Sequence, residues 1–571
     1  MALIDKASLL MVPSTYEAGK LYNVLPSGNR APDSTDQNSG YDQTRADFDF
    51  DRGSNASATR INSSGLIEKY RENLLLQSNQ FDTTWSTANG ASVTSGQSGY
   101  DGSSDAWTLE TQSGQTSRII QNTTGLGSVN SLSVYAKANT LDWIRLQIST
   151  ATGNYVADFD LTNGVSGYTF GSPLPSIQSI GSGWYRVTIS GFAPPTQVRI
   201  YAASGNNNLV GAGTILIQSA QLESGLVATD YLESTSVTGK AGVLIDLPRI
   251  DYSSGAGALL LEPSRQQLLQ YSEYLSTFGG TATINDNAII SPEGLQNAAE
   301  VVLSASGTDS FYKEVSVTAN TQYTLSFYVK QGSNTNNQLA VRDQTNSTFI
   351  ATDVSYTASS TEWKRIEYTF TTPAGCVEAR IYPHRSSLSS IGNGYFYGLQ
   401  VEAGSYSTSY IPNHGTSGGV TRAADSCSVT GASDVIGQTE GTLFMDVNLS
   451  ARDSFTYFVI APNLATTSAY IGIGITVTAF SFEVLNSGIQ VAYNYSNSST
   501  GNFKIAFAYK ANDFVAYVNG TQVMTDTSGS VPACSQIGLN NYDKDQPLLY
   551  KQAVLFNERL TNEELATLTT L

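Results

Sequence analysis

Two segments, QLESGLVATDYL (Gln221–Leu232) and QVEAGSYSTSYI (Gln400–Ile411), stand 179 residues apart and share Gln, Glu, Gly, Thr and Tyr at five of twelve positions. Leu222/Val401 and Leu232/Ile411 stay apolar. The likeness grows outward. NLLLQSNQF (Asn73–Phe81) pairs with QLLQYSEYL (Gln267–Leu275), an offset of 194, and SLSVYAK (Ser131–Lys137) with TLSFYVK (Thr324–Lys330), an offset of 193. WYRVTI (Trp184–Ile189) matches WKRIEY (Trp363–Tyr368), and RIY recurs at Arg199–Tyr201 and Arg380–Tyr382. The order is kept while the offset drifts by a loop length, so the chain holds a duplicated domain.

Each matched piece reads as a strand. Leu132, Val134 and Ala136 alternate with polar neighbours, as do Leu325, Phe327 and Val329 in the second copy, the period of two of a half-buried strand. After each Trp the inward set is Val187 and Ile189, or Ile366 and Tyr368, with Arg186 and Arg365 on the other face. Two sheets with one apolar face each must cover one another, which predicts a β-sandwich per copy. The shared segment is then the last strand and its exit.

The rest of the chain divides around the copies. Residues 73–237 and 267–425 are the two rolls, and 238–266, with Pro248 and Pro263 bracketing a Gly/Ser-rich turn, is a linker that reads as a hairpin. Residues 426–571 form a third domain. In it FKIAFAY (Phe503–Tyr509) alternates, and DFVAYVNGTQV makes a hairpin through Asn519-Gly520, a pair suited to a type I′ turn. Thr561 and Glu564 have capping-box spacing and predict one short terminal helix. Residues 1–72 are too polar for a core of their own and read as an arm that orders against a partner or a neighbouring copy. The expected fold is all-β: tandem antiparallel sandwiches, two jelly rolls plus one concanavalin-A-like sandwich, behind an extended N-terminal arm.

Composition narrows function. Charged residues are 14% of the chain, with 50 Gly and 32 Tyr, a balance for strands and turns. A net charge of −18 argues against nucleic acid, and against an anionic glycan unless a local basic patch or a metal ion intervenes. Three scattered cysteines, Cys376, Cys427 and Cys534, argue against a disulfide framework or structural zinc and read as small apolar fillers. His384 and His414, the only histidines, read as surface residues in loops. The start, MALIDKASLLMVP, is not a convincing secretion signal, and the apolar window from Tyr470 is too short to span a membrane. The expectation is a soluble chain made in a reducing cytoplasm.

LYNVLPSG (Leu21–Gly28), DFDFDRGSNASATRINSSGLIE (Asp47–Glu68), ALLLEPSRQQLLQYSE (Ala258–Glu273) and the paired Q-[LV]-E-x-G-x-x-x-T-x-Y segments resemble modular structural proteins of tailed bacteriophages. In that family, carbohydrate-binding-module-like jelly rolls are strung with a laminin-G or concanavalin-A-like sandwich, and DFVAYVNGTQV with VLFNERLTNEELATL is similar to the latter. The resemblance covers nearly the whole chain. It implies a tail fibre, head fibre or other virion appendage, a homotrimer, made in the host cytoplasm and released by lysis. Residues 1–72 would meet other virion proteins, and the outer sandwiches would contact bacterial surface polysaccharide during adsorption. A purely structural capsid or tail decoration protein is the alternative, and a polysaccharide depolymerase the remaining one. In related modules the last strand often carries an Asp pair that holds calcium. Here IQSAQLE and FYGLQVE keep only Glu223 and Glu402.

Candidate chemistry is sparse. Trp143 and Arg145 share a strand face, as do Arg199 and Tyr201, while the second copy offers Arg342, Arg380 and Tyr382. Rings that stack on a sugar's C–H face beside forked arginine donors would form a glycan platform. The plainer reading is solvated outer-face residues with a half-buried Trp. Asp543 and Asp545 in NNYDKDQ could hold calcium, or the stretch is a good turn sequence. Glu223 and Glu402 sit in separate repeats, too far apart for a glycosidase pair, and read as acceptors of backbone hydrogen bonds. No motif supports an enzyme, and no cofactor other than that calcium is implied.

Overall fold

Strand after strand alternates in burial along the chain. The computed structural model describes residues 3–15, 48–53, 57–124, 127–245, 247–304, 310–385, 391–541 and 547–571. Among these, apart from three single-turn 3-10 segments, one α-helix (Asn562–Thr569) accompanies antiparallel strands in three sandwiches. Its Thr561–Glu564 capping box is formed. No helix among the described residues is long and apolar enough to cross a membrane.

The two rolls are built alike. In the first, one sheet runs Leu174–Gly181, Trp184–Gly191, Asn130–Ala138, Gly213–Ser224, Ala106–Thr111, Ser92–Gln97. The facing sheet runs Val165–Phe170, Asn154–Asp160, Trp143–Thr150, Pro195–Ala203, Arg118–Asn122, Ser86–Ala88. The second roll repeats this order with Lys364–Thr371, Gln322–Gln331, Gly392–Ala403, Ala298–Leu303, Thr283–Ile289 facing Thr348–Ser355, Gln338–Asp343, Glu378–Arg385, Ser310–Ser316, Gly279–Gly280. The first roll adds two consecutive strands, Val165–Phe170 and Leu174–Gly181, which extend one edge of each sheet. That insertion is why the repeat offset drops before Trp184/Trp363. The residues expected inward are inward: Leu132, Val134 and Ala136 in one core, Leu325, Phe327 and Val329 in the other.

The shared segment is a hydrogen-bonded clasp in which each identical residue has a task. Glu223 accepts from Thr229 N–H (2.9 Å), Thr229 Oγ1 (2.6 Å) and Gln221 Nε2 (2.6 Å). Glu402 accepts from Thr408 N–H (2.7 Å), Thr408 Oγ1 (2.7 Å) and Gln400 Nε2 (2.6 Å). Gln221 and Gln400 in turn accept the Leu232 and Ile411 N–H groups at 2.7 Å each. Tyr231 and Tyr410 reach Ser78 and Ser272, both at 2.6 Å. Gly225 (φ 129°) and Gly404 (φ 132°) occupy backbone that a side chain would strain. A second shared device lies alongside. Arg186 covers Tyr135 and donates to Ser133 at 3.1 Å, just as Arg365 covers Tyr328 and donates to Ser326 at 3.1 Å.

The third sandwich is drawn from three parts of the chain. Its larger sheet orders Arg249–Asp251, Ala258–Leu261, Leu548–Phe556, Glu440–Leu449, Gly501–Lys510, Asp513–Val518, Thr521–Asp526, and Leu9–Met11 also pairs with Leu548–Phe556. Its facing sheet begins with Asp49–Asp51, paired to Ser426–Val429. Leu9, Met11, Phe48, Phe50, Ile250, Leu259 and Leu261 enter the same core as Leu443, Phe458 and Ile505. One expectation is corrected: the linker hairpin belongs to the last sandwich, which therefore is not confined to 426–571. The described arm residues order against their own chain, Leu9–Met11 and Asp49–Asp51 as strands of the last sandwich. The reason is that strand edges need hydrogen-bond partners, and Leu9/Met11 and Phe48/Phe50 supply alternating apolar faces. The Asn519-Gly520 turn is present, with φ of 48° and 79°.

Where arm, hairpin and second roll meet, charges are fully buried. Glu262 receives Arg249 Nη1 (2.6 Å), Arg422 Nη1 (2.8 Å) and Ser409 N–H (2.7 Å), while Asp425 pairs with Arg249 and lies 3.6 Å from Arg52. Burial alone would raise the Glu262 carboxyl, but Arg422 and Arg249 hold it down at about 2.

Candidate functional site

Cross-strand register gathers the first roll's candidates on the outer face of one sheet. Arg145 lies opposite Tyr201, Gln147 opposite Arg199, and Trp143 opposite Ala203. The face is committed to itself, however. Arg145 makes a two-pronged pair with the buried Asp158 (2.5 and 2.9 Å) and reaches Asn207 at 2.9 Å. Arg199 is held by Gln197. Tyr201 is only 5% exposed, its hydroxyl donates to Gln147 Oε1 at 3.0 Å, and the Arg118 guanidinium lies 5.7 Å from its ring. Trp143 is half-buried, closed over by Gly167 of the added strand Val165–Phe170, where a Cβ would meet the indole at 2.7 Å. The aromatic groups that this surface does present are ones the sequence reading missed: Phe170, 54% exposed, and Tyr168, which stacks over Arg145 at 5.2 Å.

The second roll brings its candidates together on the equivalent sheet. Arg342 is opposite Arg380, and Ala340 opposite Tyr382. Tyr382 is 6% exposed, so it too serves as support, lying 5.3 Å from Tyr312 and 6.3 Å from Phe349. Arg380 stacks on Tyr312 at 4.0 Å and pairs with Glu314 at 2.5 and 3.0 Å. The ring offered to solvent is Phe349, 42% exposed and opposite Arg342 in the sheet. Arg385 lies 4.4 Å and Arg342 5.9 Å from its centre. Phe349, Tyr312 and Arg385 were not singled out from the sequence. Alternation in STFIATDV could have placed Phe349, had its pairing with Arg342 been known.

The remaining candidates sort as follows. Asp543 and Asp545 lie outside the described residues. Glu223 and Glu402 are the clasp acceptors already described, and burial raises both carboxyls in spite of their donors. His384 is corrected from a surface loop to the interior: it is in a strand, 1% exposed, with Nε2 lacking a partner among the described residues, and burial pushes it down to about 4. His414 is in a loop as expected, and half-buried. His414 bonds Tyr274 at 2.7 Å beside a cleft of about 350 Å³ between the rolls. Four carboxylates line that cleft: Glu273 and Glu293 share Lys69 at 2.6 and 2.7 Å, Glu72 lies 3.8 Å from Lys240, and Glu223 is the clasp acceptor. Tyr410 donates to Glu273 at 2.9 Å and Tyr397 to Glu293 at 2.7 Å. Burial opposes it, yet Lys69 keeps the Glu273 carboxyl below its ordinary value, the opposite of what a glycosidase's general acid needs.

The family described as a carbohydrate binding domain matches residues 304–387, the segment of the second roll that carries Tyr312, Arg342, Phe349, Arg380, Tyr382 and Arg385. Among curated proteins, the tRNA3(Ser)-specific nuclease WapA of Bacillus spizizenii is 33% identical over 140 residues, 23% of this chain and 6% of that protein. The tRNA nuclease WapA of Bacillus subtilis is 32% identical over 140 residues, with the same two shares. The chain thus spans about 6% of the length of these relatives. Of solved structures, the Ruminococcus gnavus sialidase CBM40 bound to α2,3-sialyllactose aligns over 24% of this chain and 87% of its own, at 12% identity and TM-score 0.22. The CBM22-1–CBM22-2 tandem of Paenibacillus barcinonensis Xyn10C aligns over 62% of this chain and 99% of its own, at 11% identity and TM-score 0.21.

Proposed function

We propose that this chain is a non-catalytic appendage protein of a tailed-phage virion that contacts host-surface glycan through its second jelly roll. The observation that carries the binding part is Phe349, an exposed ring flanked by arginine donors within the segment that matches the carbohydrate-binding family. An aromatic face against sugar C–H groups with guanidinium donors at its rim is a workable recognition surface. The non-catalytic part is supported by the commitments of the cleft carboxylates: Glu273 and Glu293 are tied to one lysine, and Glu223 to the clasp. The virion part rests on the resemblance of the arm and the paired segments to phage structural proteins. Attachment to other virion proteins through residues 1–72, a homotrimeric state and calcium at Asp543 and Asp545 belong to the same proposal.

A structural role without glycan draws on one observation. Val165 and Phe170, on the first roll's added edge strand, are exposed apolar side chains suited to packing on a neighbouring protein. A glycan array probed with the full chain, run beside a reducing-sugar assay, separates the readings. Binding without sugar release is the expected result; release would make the protein a depolymerase, and silence in both would favour the structural role.

A further inference from the structure

The chain carries 48 acidic against 30 basic residues, yet around Phe349 the balance is reversed. Among the described residues neither Arg342 nor Arg385 meets a carboxylate. Arg342 reaches the Ser347 carbonyl at 3.5 Å and Arg385 the Thr352 hydroxyl at 3.3 Å, and the buried Nε of Arg342 has no acceptor. The sister face differs: Gln147 stands in the register where Arg342 does here, and the arginine two residues before it, Arg145, is neutralised by Asp158. Guanidinium groups left without an anion beside an apolar ring are unsatisfied in charge and in hydrogen bonding.

We infer that this face selects a polysaccharide bearing carboxylate groups, with a sugar ring seated on Phe349 and its carboxylate received by Arg342 and Arg385. The inference rests on the glycan-binding reading above and adds the charge class of the ligand. Planar forked donors match carboxylate geometry, and the ring supplies the apolar platform. Uronic and sialic acids share this chemistry, so the test carries an arm for each.

Binding of the full-length chain to polygalacturonate, polysialic acid, dextran sulfate and uncharged dextran is measured by surface plasmon resonance. The wild type is compared with R342Q/R385Q and with F349A, and thermal melting verifies that the variants fold. Either carboxylated polymer should bind, and R342Q/R385Q should weaken it by about tenfold or more, with F349A weakening it as well. The polymer that binds tells uronate from sialate. Equal binding of dextran, unaffected by R342Q/R385Q, overturns the charge selectivity and leaves glycan binding standing. Binding of dextran sulfate alone overturns the carboxylate assignment. No binding to any of the four overturns the inference, and the array then decides the broader reading. Should R342Q/R385Q fail to fold, carboxyl-reduced polygalacturonate replaces it: lost binding supports the assignment and retained binding overturns it.

Discussion

The two jelly rolls share a strand order, a closing clasp and an Arg–Tyr–Ser trio, and they part company on one outer sheet face. In the first roll Arg145 has Asp158, Arg199 has Gln197, and the added strand Val165–Phe170 closes over Trp143. Among the described residues of the second roll there are no such added strands, Phe349 is open, and Arg342 and Arg385 meet no acid. The duplicated parts are those that hold the sandwich shut; the divergent parts face solvent. A clasp residue answers to buried hydrogen bonds, where an error costs the fold, whereas an outer-face residue is free to follow a ligand.

The largest expected effect probes what sets the second roll's surroundings apart. Asp425→Ala would leave Arg249 and Arg52 buried beside one remaining carboxylate, at a cost of about 3–5 kcal/mol. Calorimetry should show the second roll and last sandwich melting earlier with the first roll unmoved; an equal fall in both rolls would contradict the local role of the junction. Next come Glu223→Ala and Glu402→Ala, each stripping one carboxylate from three donors, about 3 kcal/mol apiece. Amide exchange at Thr229 and Thr408 should accelerate alike, and a mismatch beyond about 1 kcal/mol would break the equivalence of the clasps.

His384 sharpens the comparison through pH. Ala203 follows the first roll's RIY at the place where His384 follows the second's. The folded pKa of His384 is depressed to about 4 by burial, so on acidification the unfolded chain takes up the proton first. Stability of the second roll should fall from about pH 6.5 to about pH 4, by about 2 kcal/mol at pH 5. Glu223 and Glu402, both raised by burial, contribute stability below the unfolded carboxyl value and lose it as pH rises through the folded one. That trend is shared by the rolls and cancels in their difference. His414, also lowered by burial, adds to the same slope, so His384→Leu should reduce the extra slope to the part His414 supplies, and an unchanged slope would point elsewhere. The smallest effect is Phe349→Ala, under about 0.5 kcal/mol in melting for so exposed a side chain; a larger loss would mean that the ring supports the fold rather than a ligand.

Much of this architecture could be read from residues alone. Period-two alternation placed Leu132, Val134 and Ala136 inward, and the recurrence of Gln, Glu, Gly, Thr and Tyr marked the clasp before its bonds were known. Alternation also put Trp143, Arg145, Arg199 and Tyr201 on one face. It could not say what covers a face, so the burial of Tyr201 and Tyr382 was out of reach. Long-range pairing was equally invisible: nothing near Leu9 or Ile250 in the sequence names Leu548–Phe556 as their sheet. Arg52 lies in a stretch that looks too polar to bury much, yet it is among the most deeply buried side chains because its acid waits at Asp425.

The pairing of Leu9–Met11 with Ala553–Leu555 has a mechanical consequence. Tension applied beyond these two strands would be borne first by that antiparallel contact, with Leu9 and Leu555 parting before Met11 and Ala553. The pair would peel rung by rung at low force instead of shearing at once. Both rolls lie on the loop between the two strands, shielded from the pull until the sheet opens.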